Sequence, residues 1–257
     1  MNINGLIEKI AEKKGLQGVS KDSINSFLSI YLKKHKIKEQ NIESLSEKEI
    51  KSIVKDARAH LRILVGRFHL KESKKNNLLK KKDWAGLLNT HTSTKERIDI
   101  YPEIKRYIQS LHSHSILDLG CGLNPIAIAE KGIYYYASDI NNSDLEIVSE
   151  FFKDKKITGK IFQYDLINSQ EPFPKADITL MFKLVDFLEK ISPRVTERVF
   201  ERLDSKDIIV SFSTHKLSGK RMGSAERKWF ENLCFHKSWS FKKMEFNNEV
   251  FYHISRK

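Results

Sequence analysis

Short apolar runs that alternate with helix-like stretches constrain the fold of the second part of the chain. Five runs of strand length follow one another: SILDL at 115–119, IYYYASDI at 133–140, KIFQYDL at 160–166, ADITLMF at 176–182 and DIIVSFS at 207–213. Helical stretches separate them at residues 125–131, 143–153, 184–191 and 193–203. Alternating strands and helices are typical of a mostly parallel, doubly wound sheet. We therefore predict an α/β core.

The last two apolar segments, 239–246 and 249–257, flank Asn247-Asn248, which is typical of a hairpin turn. A mostly parallel sheet that ends in an antiparallel C-terminal strand is the plan of the Rossmann-like class I methyltransferase core. We predict this plan for the second part of the chain.

The first third differs, because its apolar residues recur at helical spacing in four segments. Ser20 and the Ser46–Glu49 pair have the spacing of helix N-caps. Residues 1–90 hold 20 lysines and arginines against 10 acids, whereas the remainder holds 26 against 23. We predict a small basic helical domain at residues 1–92 that binds a polyanion such as RNA, followed by a catalytic domain at 93–257. A lysine-rich helical domain without such a ligand is the alternative.

Basic side chains of the first domain are candidates for phosphate contacts, which would make RNA affinity fall with salt. The candidates are Lys33, Lys34, Arg58, Arg62, Lys80, Lys81 and Lys82. For any one of them, a solvated surface position is the alternative.

Composition argues against several classes of protein. No apolar run approaches the roughly 20 residues that cross a bilayer, and residues 1–14 lack the apolar core of a signal peptide. Cys121 and Cys234 are the only cysteines and lack metal-site spacing. We expect a cytoplasmic protein with reduced thiols, no membrane segment and no metal.

The turn after the first predicted strand, DLGCGLNP, has the composition of a nucleotide-binding loop. Asp118 precedes Gly120 and Gly122, and glycine allows a ligand to approach the backbone closely. Dinucleotide-binding loops carry a third glycine where this chain has Pro125, which lacks an N–H that could hold a pyrophosphate. The loop therefore favours a ligand without a pyrophosphate, such as S-adenosyl-L-methionine.

Two acids follow the next predicted strands. Asp139 and Ile140 close the second run and are both candidates for cofactor binding, because a carboxylate there can accept hydrogen bonds from both ribose hydroxyls. Asp165 ends the third run, where it can accept from an adenine amino group while Leu166 packs near the ring. Helix capping is the alternative role for each acid.

Arg97 lies just upstream of the core and is the candidate for the cofactor's methionine carboxylate, since a guanidinium binds a carboxylate bidentately. The alternative is a helix-surface arginine paired with Glu96 or Asp99.

Lys183 follows the fourth predicted strand, where chemistry takes place in this fold. Many nucleic-acid amine methyltransferases carry Asn-Pro-Pro-aromatic there, but FKLVDFLE at 182–189 lacks it. This argues against adenine N6 and cytosine N4, and permits a nucleophile that needs no deprotonation, such as guanine N7. A catalytic side chain is then not required, and Lys183 is a cofactor-contacting, structural, phosphate-contacting or catalytic residue.

These motifs together resemble one family. HTSTKER, DLGCGLNPIAI, ASDI, FKLVDFLE, VSFSTHKLSGK and WFE are similar to segments of the aminoglycoside-resistance 16S rRNA methyltransferases that modify guanine N7 in the decoding site. The resemblance implies a helical N-terminal domain before a Rossmann-like core, and S-adenosyl-L-methionine as cofactor. It also implies 16S rRNA in the small (30S) ribosomal subunit as partner, and drug resistance or a related rRNA-modification role.

By this resemblance, Arg97 contacts the cofactor carboxylate, Gly120 and Gly122 contact its methionine part, Asp139 contacts the ribose, and Asp165 with Leu166 contacts the adenine. The family's substrate loop follows the fifth strand and is shorter in this chain. Its candidates for contact with the target nucleotide are Lys220, Arg221 and Met222.

Other functions stay open at this point. The target is alternatively another base, such as adenine N1 or a tRNA guanine. A non-catalytic RNA-binding or ribosome-assembly factor would retain the same fold. An NAD oxidoreductase is disfavoured by Pro125 and by the basic first domain. We expect a monomer.

Overall fold

The computed structural model describes residues 1–13, 16, 19–64, 72–215, 226–246 and 248–256. Before the sheet, these ranges form α1 (Ile3–Ala11), α2 (Lys21–Lys34), a 3-10 helix (Glu39–Ser44), α3 (Glu47–Leu64), α4 (Glu72–Lys80), α5 (Trp84–Leu88), α6 (Thr92–Arg97) and α7 (Tyr101–Gln109). They continue with β1 (Ser115–Leu119), α8 (Pro125–Ile128), β2 (Tyr134–Asp139), α9 (Asn142–Lys155), β3 (Gly159–Gln163) and β4 (Ile178–Phe182). The last elements are α10 (Val185–Ile191), α11 (Pro193–Glu201), β5 (Asp207–Ser213), α12 (Lys228–His236), β6 (Ser240–Glu245) and β7 (Glu249–Ser255).

Local hydrogen bonds set the starts of α2 and α3, and both predicted caps are confirmed. Ser23 N donates to Ser20 Oγ at 3.1 Å. Ser46 N donates to Glu49 Oε2 at 2.8 Å, and Glu49 N donates to Ser46 Oγ at 3.4 Å, which is a reciprocal capping box. The helices α1, α2 and α3 pack around an apolar cluster of their own.

The sequence predicts a single fourth helix at residues 74–91, but the structure has two helices there, α4 and α5, so that prediction was wrong. Lys82 has a φ of 53° after the end of α4, and Asp83 Oδ1 accepts from Gly86 N at 2.8 Å at the start of α5. The left-handed residue and the new cap therefore separate two helical segments. Leu87 of α5 is fully buried in an apolar cluster of the sheet, so α5 packs against the core.

The described strands form one sheet in the order β3-β2-β1-β4-β5-β7-β6. The pairs among β1 to β5 are parallel, and β7 pairs antiparallel with both β5 and β6. The predicted fold class is confirmed. Ile116 belongs to the apolar cluster on one face and Leu117 to the cluster on the other, because successive side chains of a strand point to opposite faces.

The strands β1 and β5 have their predicted bounds, but β3 ends at Gln163, earlier than predicted. The cause is a turn at Asp165, whose Oδ1 accepts from Ile167 N at 3.0 Å and from Asn168 N at 3.2 Å. A carboxylate that bonds its own backbone in this way favours a turn over a strand.

Two further features bear on the domain organisation. Val19 forms an isolated antiparallel bridge with Asn141, the residue that caps α9. The predicted division between residues 92 and 93 falls within α6.

In the part of the chain that the structure describes, no helix is both long and apolar enough to cross a membrane. The same residues contain no group of three or more His, Cys, Asp or Glu that could hold a metal ion.

Candidate functional site

A cleft opens beyond the carboxyl ends of β1, β2 and β4, where the strand order reverses between β1 and β4. Ligands of doubly wound sheets bind at this place. Most predicted cofactor-binding residues line the cleft: Arg97, Gly120, Gly122, Asp139, Ile140, Asp165, Leu166 and Lys183. Lining residues that we did not assign include His91, Asn124, Asp144, Leu184 and Phe187.

The glycine turn after β1 requires glycine because of its backbone angles. Gly120 and Gly122 have φ angles of 63° and 48°, which residues with a Cβ rarely adopt. A Cβ on Gly120 would also lie 3.2 Å from Leu184 Cδ1. Gly122 N donates to Asp139 Oδ2 at 2.8 Å, so the turn is joined directly to the acid at the end of β2.

Asp139 holds two backbone N–H groups and remains able to accept more. Its second oxygen, Oδ1, accepts from Asn141 N at 2.9 Å, and each carboxylate oxygen has a further lone pair. Burial raises the pKa of Asp139 to about 6, helped by the charge of Asp144. The side chain that caps α9 belongs to Asn141, whose Oδ1 accepts from Ser143 N at 3.1 Å. Asp139 is therefore available for a ligand.

Asp165 lies in the cleft beside apolar side chains. Its Oδ2 accepts from Asn168 Nδ2 at 2.8 Å, in addition to the turn bonds at Oδ1. Leu166 and Ile140 are both buried and line the same cleft. A carboxylate next to apolar walls suits a flat ring that carries an amino group.

Arg97 is only 1% exposed, so the alternative of a surface arginine is wrong. Its Nε donates to Glu249 Oε1 at 2.8 Å and Oε2 at 3.0 Å, and its Nη1 donates to Asn124 Oδ1 at 2.8 Å. Its Nη2 has no hydrogen-bond partner among the described residues. A ligand carboxylate can therefore accept a hydrogen bond from Nη2. The bidentate contact with two nitrogens that we predicted would displace the bond of Nε to Glu249 or that of Nη1 to Asn124.

Burial and neighbouring groups shift the pKa of Arg97 in opposite directions. Desolvation, the largest single cause, would lower the pKa of this guanidinium, but the Glu249 carboxylate and the Tyr101 hydroxyl together outweigh it and the pKa is raised. The Arg97 carbon Cζ also lies 5.1 Å from the centre of the Phe182 ring, within the range of a cation–π contact. The arginine is a permanent buried cation beside the cleft.

Glu249, the first residue of β7, is fully buried and joins several side chains of the site. Besides Arg97, it accepts from Ser211 Oγ, and it lies 3.2 Å from Lys183 Nζ. Lys183 also pairs with Glu96, and its φ of 54° is unusual for a residue other than glycine. We did not predict Glu249. The available signal was an acid at the start of the otherwise apolar run EVFYHIS.

Asp118 is a predicted cofactor-binding residue that does not line the described cleft. It is fully buried within β1, where it accepts from Tyr135 OH at 2.8 Å. Burial raises the pKa of Asp118 to about 7. The prediction that Asp118 contacts the cofactor is therefore corrected: its carboxylate lies outside the lining of the cleft and binds Tyr135 of β2.

The predicted RNA-binding residues differ in what the structure says of them. Lys33, Lys80 and Lys81 are exposed. Lys82 Nζ pairs with Asp154 at 2.7 Å, and Arg58 donates to the Lys9 carbonyl, so both cations already have partners. The side chains of Lys34 and Arg62 lie outside the described part of the structure, as do the whole residues Lys220, Arg221 and Met222.

The lysine segment at residues 80–82 and the cleft lie at opposite ends of α9. Lys82 pairs with Asp154 near the end of this helix, whereas Asp144 in its first turn lines the cleft. Ten residues of helix separate the two acids by about 15 Å. Any phosphate contact made near Lys82 is therefore remote from the cleft.

The chain is similar to known RNA methyltransferases in sequence and in fold. It is 27% identical over 237 residues to a 16S rRNA (guanine(1405)-N(7))-methyltransferase of Serratia marcescens, which covers 90% of this chain and 89% of that relative. A solved structure of the 16S rRNA methylase RmtB superposes with a TM-score of 0.80 at 25% identity, and covers 100% of this chain and 99% of RmtB. The methyltransferase RmtF, solved in complex with S-adenosyl-L-homocysteine, has the same fold, with a TM-score of 0.81, 22% identity and 100% of both chains covered.

A family model gives the assignment. The model of the ribosomal RNA methyltransferase (FmrO) family matches residues 78–254, which include β1 to β6, all but the last residue of β7 and the lining of the cleft. The match covers more than half of the chain and confirms the resemblance that the motifs indicated. The chain belongs to the ribosomal RNA methyltransferase (FmrO) family.

Proposed function

We propose that this protein transfers a methyl group from S-adenosyl-L-methionine to N7 of a guanine in the decoding site of 16S rRNA. The substrate is the assembled small (30S) ribosomal subunit, and the result is aminoglycoside resistance or a related rRNA modification. One observation carries the proposal: the cleft of an rRNA methyltransferase brings together a buried arginine with an unpartnered amino group, the acid that ends β2 and the acid that follows β3.

The described residues fit this cofactor group by group. The unpartnered Nη2 of Arg97 suits the carboxylate of the amino-acid part. The free lone pairs of Asp139 suit the two ribose hydroxyls. Asp165 suits the adenine amino group, with Ile140 and Leu166 against the ring.

The cleft needs no side chain that removes a proton. When bound, S-adenosyl-L-methionine supplies a sulfonium methyl group, which an unprotonated ring nitrogen such as guanine N7 accepts without losing a proton. Lys183 is held by Glu96 and Glu249 at the position where an amine-holding motif would stand. Phe182, Leu184 and Phe187 line the cleft with apolar surface. The residues therefore bind and align the reactants.

We infer guanine N7 as the target atom because the relative from Serratia marcescens is a 16S rRNA (guanine(1405)-N(7))-methyltransferase. The basic helical region at residues 1–92 docks on folded rRNA by shape and phosphate contacts, and residues 93–257 carry the methyl transfer. The loop that includes Lys220, Arg221 and Met222 meets the target nucleotide. The enzyme acts as a monomer in the cytoplasm, where its ribosomal substrate is.

Methylation of purified 30S subunits tests the proposal. Wild-type protein is incubated with subunits and methyl-labelled S-adenosyl-L-methionine, and the modified base is mapped by mass spectrometry of 16S rRNA fragments. We expect one 7-methylguanine in the decoding site. Arg97→Ala should lose most of the activity, whereas Arg194→Ala, at an exposed position of α11, should retain it.

Other products identify the other functions. A 1-methyladenine, or a label that enters tRNA, would replace the proposed target with another base or RNA. Cofactor binding without methyl transfer to 30S subunits, free 16S rRNA or tRNA would indicate a non-catalytic RNA-binding factor. Expression in an aminoglycoside-sensitive bacterium tests the resistance role, since methylation without a change in drug sensitivity would leave only the modification.

A further inference from the structure

Asn124, in the Asn-Pro pair of the nucleotide loop, has an unusual set of partners. Its Oδ1 accepts from Arg97 Nη1 at 2.8 Å and from Tyr101 OH at 2.6 Å. The residue is 2% exposed and lines the cleft. One amide oxygen thus joins the loop after β1 to α6 and α7.

The side chain makes these contacts in place of its usual role. An asparagine at the start of a helix ordinarily caps that helix with its side chain, as Asn2 and Asn141 do in α1 and α9. Asn124 stands at the start of α8 but makes no such cap bond. Pro125, the next residue, has no N–H and already has the φ of a helix, so the start of α8 depends less on a side-chain cap.

The contacts of Arg97 account for the orientation of its guanidinium. Glu249 holds Nε and Asn124 holds Nη1, so the two anchored nitrogens fix both the plane and the rotation of the group. Only Nη2 is left without a partner among the described residues. A guanidinium held in this way has lost its rotamer freedom before a ligand arrives, which lowers the entropy cost of binding.

We propose that Asn124 is a positioning residue, which directs Arg97 Nη2 toward the carboxylate of the bound cofactor. The inference rests on the proposed function, because it requires a ligand with an amino-acid part. It explains why the loop carries Asn-Pro: proline starts the helix, and asparagine is left to orient the arginine.

Two ligands distinguish a positioning role from a purely structural one. S-adenosyl-L-homocysteine carries the carboxylate, and 5′-methylthioadenosine shares the adenosine part but has no carboxylate. Both are titrated calorimetrically into the wild-type protein and into Asn124→Ala. We expect affinity for S-adenosyl-L-homocysteine to fall at least about tenfold, the equivalent of one hydrogen bond to a charged group. Affinity for 5′-methylthioadenosine should stay within about twofold.

Matched variants complete the design. Tyr101→Phe removes the other donor to the same Oδ1 and leaves the Arg97 bond in place, so it should change neither affinity more than about twofold. In an Arg97→Ala background, Asn124→Ala should have no further effect on S-adenosyl-L-homocysteine. Thermal unfolding of each variant verifies that it is folded before titration.

The outcomes distinguish failure of the positioning role from failure of the proposed function. If Asn124→Ala weakens both ligands equally, or weakens S-adenosyl-L-homocysteine as much without Arg97 as with it, the positioning role is refuted. If the wild-type protein binds neither ligand, the proposed function itself fails.

Discussion

Lys75 Nζ lies 2.7 Å from Asp144 Oδ1, and the two side chains are only 5% and 2% exposed. The pair joins α4 to the first turn of α9, where a carboxylate is also favoured by the helix dipole. Asp144 lines the cleft and accepts from Asn141 Nδ2 at 2.9 Å. A helix that precedes the core in sequence is therefore tied to the wall of the cofactor site.

Lys75→Ala should lower the free energy of unfolding by about 3–5 kcal/mol, because it leaves the Asp144 carboxylate buried without its cation. Denaturant unfolding measures the change. The matched control is Lys51→Ala, which breaks an exposed pair with Glu47 on α3 and should cost less than about 0.5 kcal/mol. Equal losses in the two variants would show that burial of the Lys75–Asp144 pair does not matter.

Affinity for S-adenosyl-L-homocysteine should decrease below about pH 6. Burial raises the pKa of Asp139 to about 6, and only the ionised carboxylate can accept from both ribose hydroxyls. The free protein must therefore lose a proton from Asp139 before it binds at lower pH, and affinity should fall by up to about tenfold per pH unit there. Calorimetry from about pH 5 to about pH 8 measures the profile.

Two substitutions identify the group that titrates. Asp139→Asn should bind weakly at every pH and abolish the dependence. Asp118→Asn should retain it, because Asp118, whose pKa is raised to about 7, does not line the cleft. The stability of the ligand-free protein changes with pH in the opposite direction to the affinity. Because the pKa of the Asp139 carboxyl is higher in the folded than in the unfolded protein, the free energy of unfolding decreases as pH rises from the unfolded pKa toward the folded pKa. Affinity that is flat across this range would contradict the role of Asp139.

Gly120→Ala should destabilise the protein by roughly 1–2 kcal/mol and also weaken cofactor binding. The positive φ accounts for the stability loss, and the contact of the new Cβ with Leu184 would shift a residue of the cleft. Gly132→Ala is the control, since Gly132 has a φ of 90° but a Cβ there would meet nothing within 4 Å. It should lose similar stability and keep its affinity. A loss of affinity in both variants would mean that backbone strain alone is responsible.

Reversal of Lys80 and Lys81 to glutamate should weaken binding to 30S subunits. It should also make the slope of log affinity against log salt shallower, by about one unit for each phosphate that the protein no longer neutralises. Cofactor affinity should not change, because these exposed lysines lie at the far end of α9 from the cleft. Filter binding at several salt concentrations measures the slope. The charge-matched control is reversal of Lys131 and Lys175, two exposed lysines on the surface of the α/β domain. An equal loss of affinity for 30S subunits in the two double variants would indicate a general charge effect.

Local sequence was sufficient for the alternation of strands and helices from β1 to β5 and for many residues that line the cleft. Apolar runs of strand length predicted β1 and β5 with their observed bounds, and the strand-end position placed Asp139 and Asp165 at one edge of the sheet. This works because parallel strands bring their carboxyl ends together. Periodicity failed at Lys82 and Asp165, where single residues redirect the backbone.

Only the tertiary structure decided which groups hold the arginine of the site. Arg97 is bound by Asn124, which is 27 residues away, and by Glu249, which is 152 residues away. Glu249 reaches it because β7 inserts between β5 and β6. Such partners depend on strand order and on burial, which no local pattern contains. Asp118 and Asp139 both lie in strand sequences, but β1 is central and encloses its acid, whereas the end of β2 leaves its acid at the cleft.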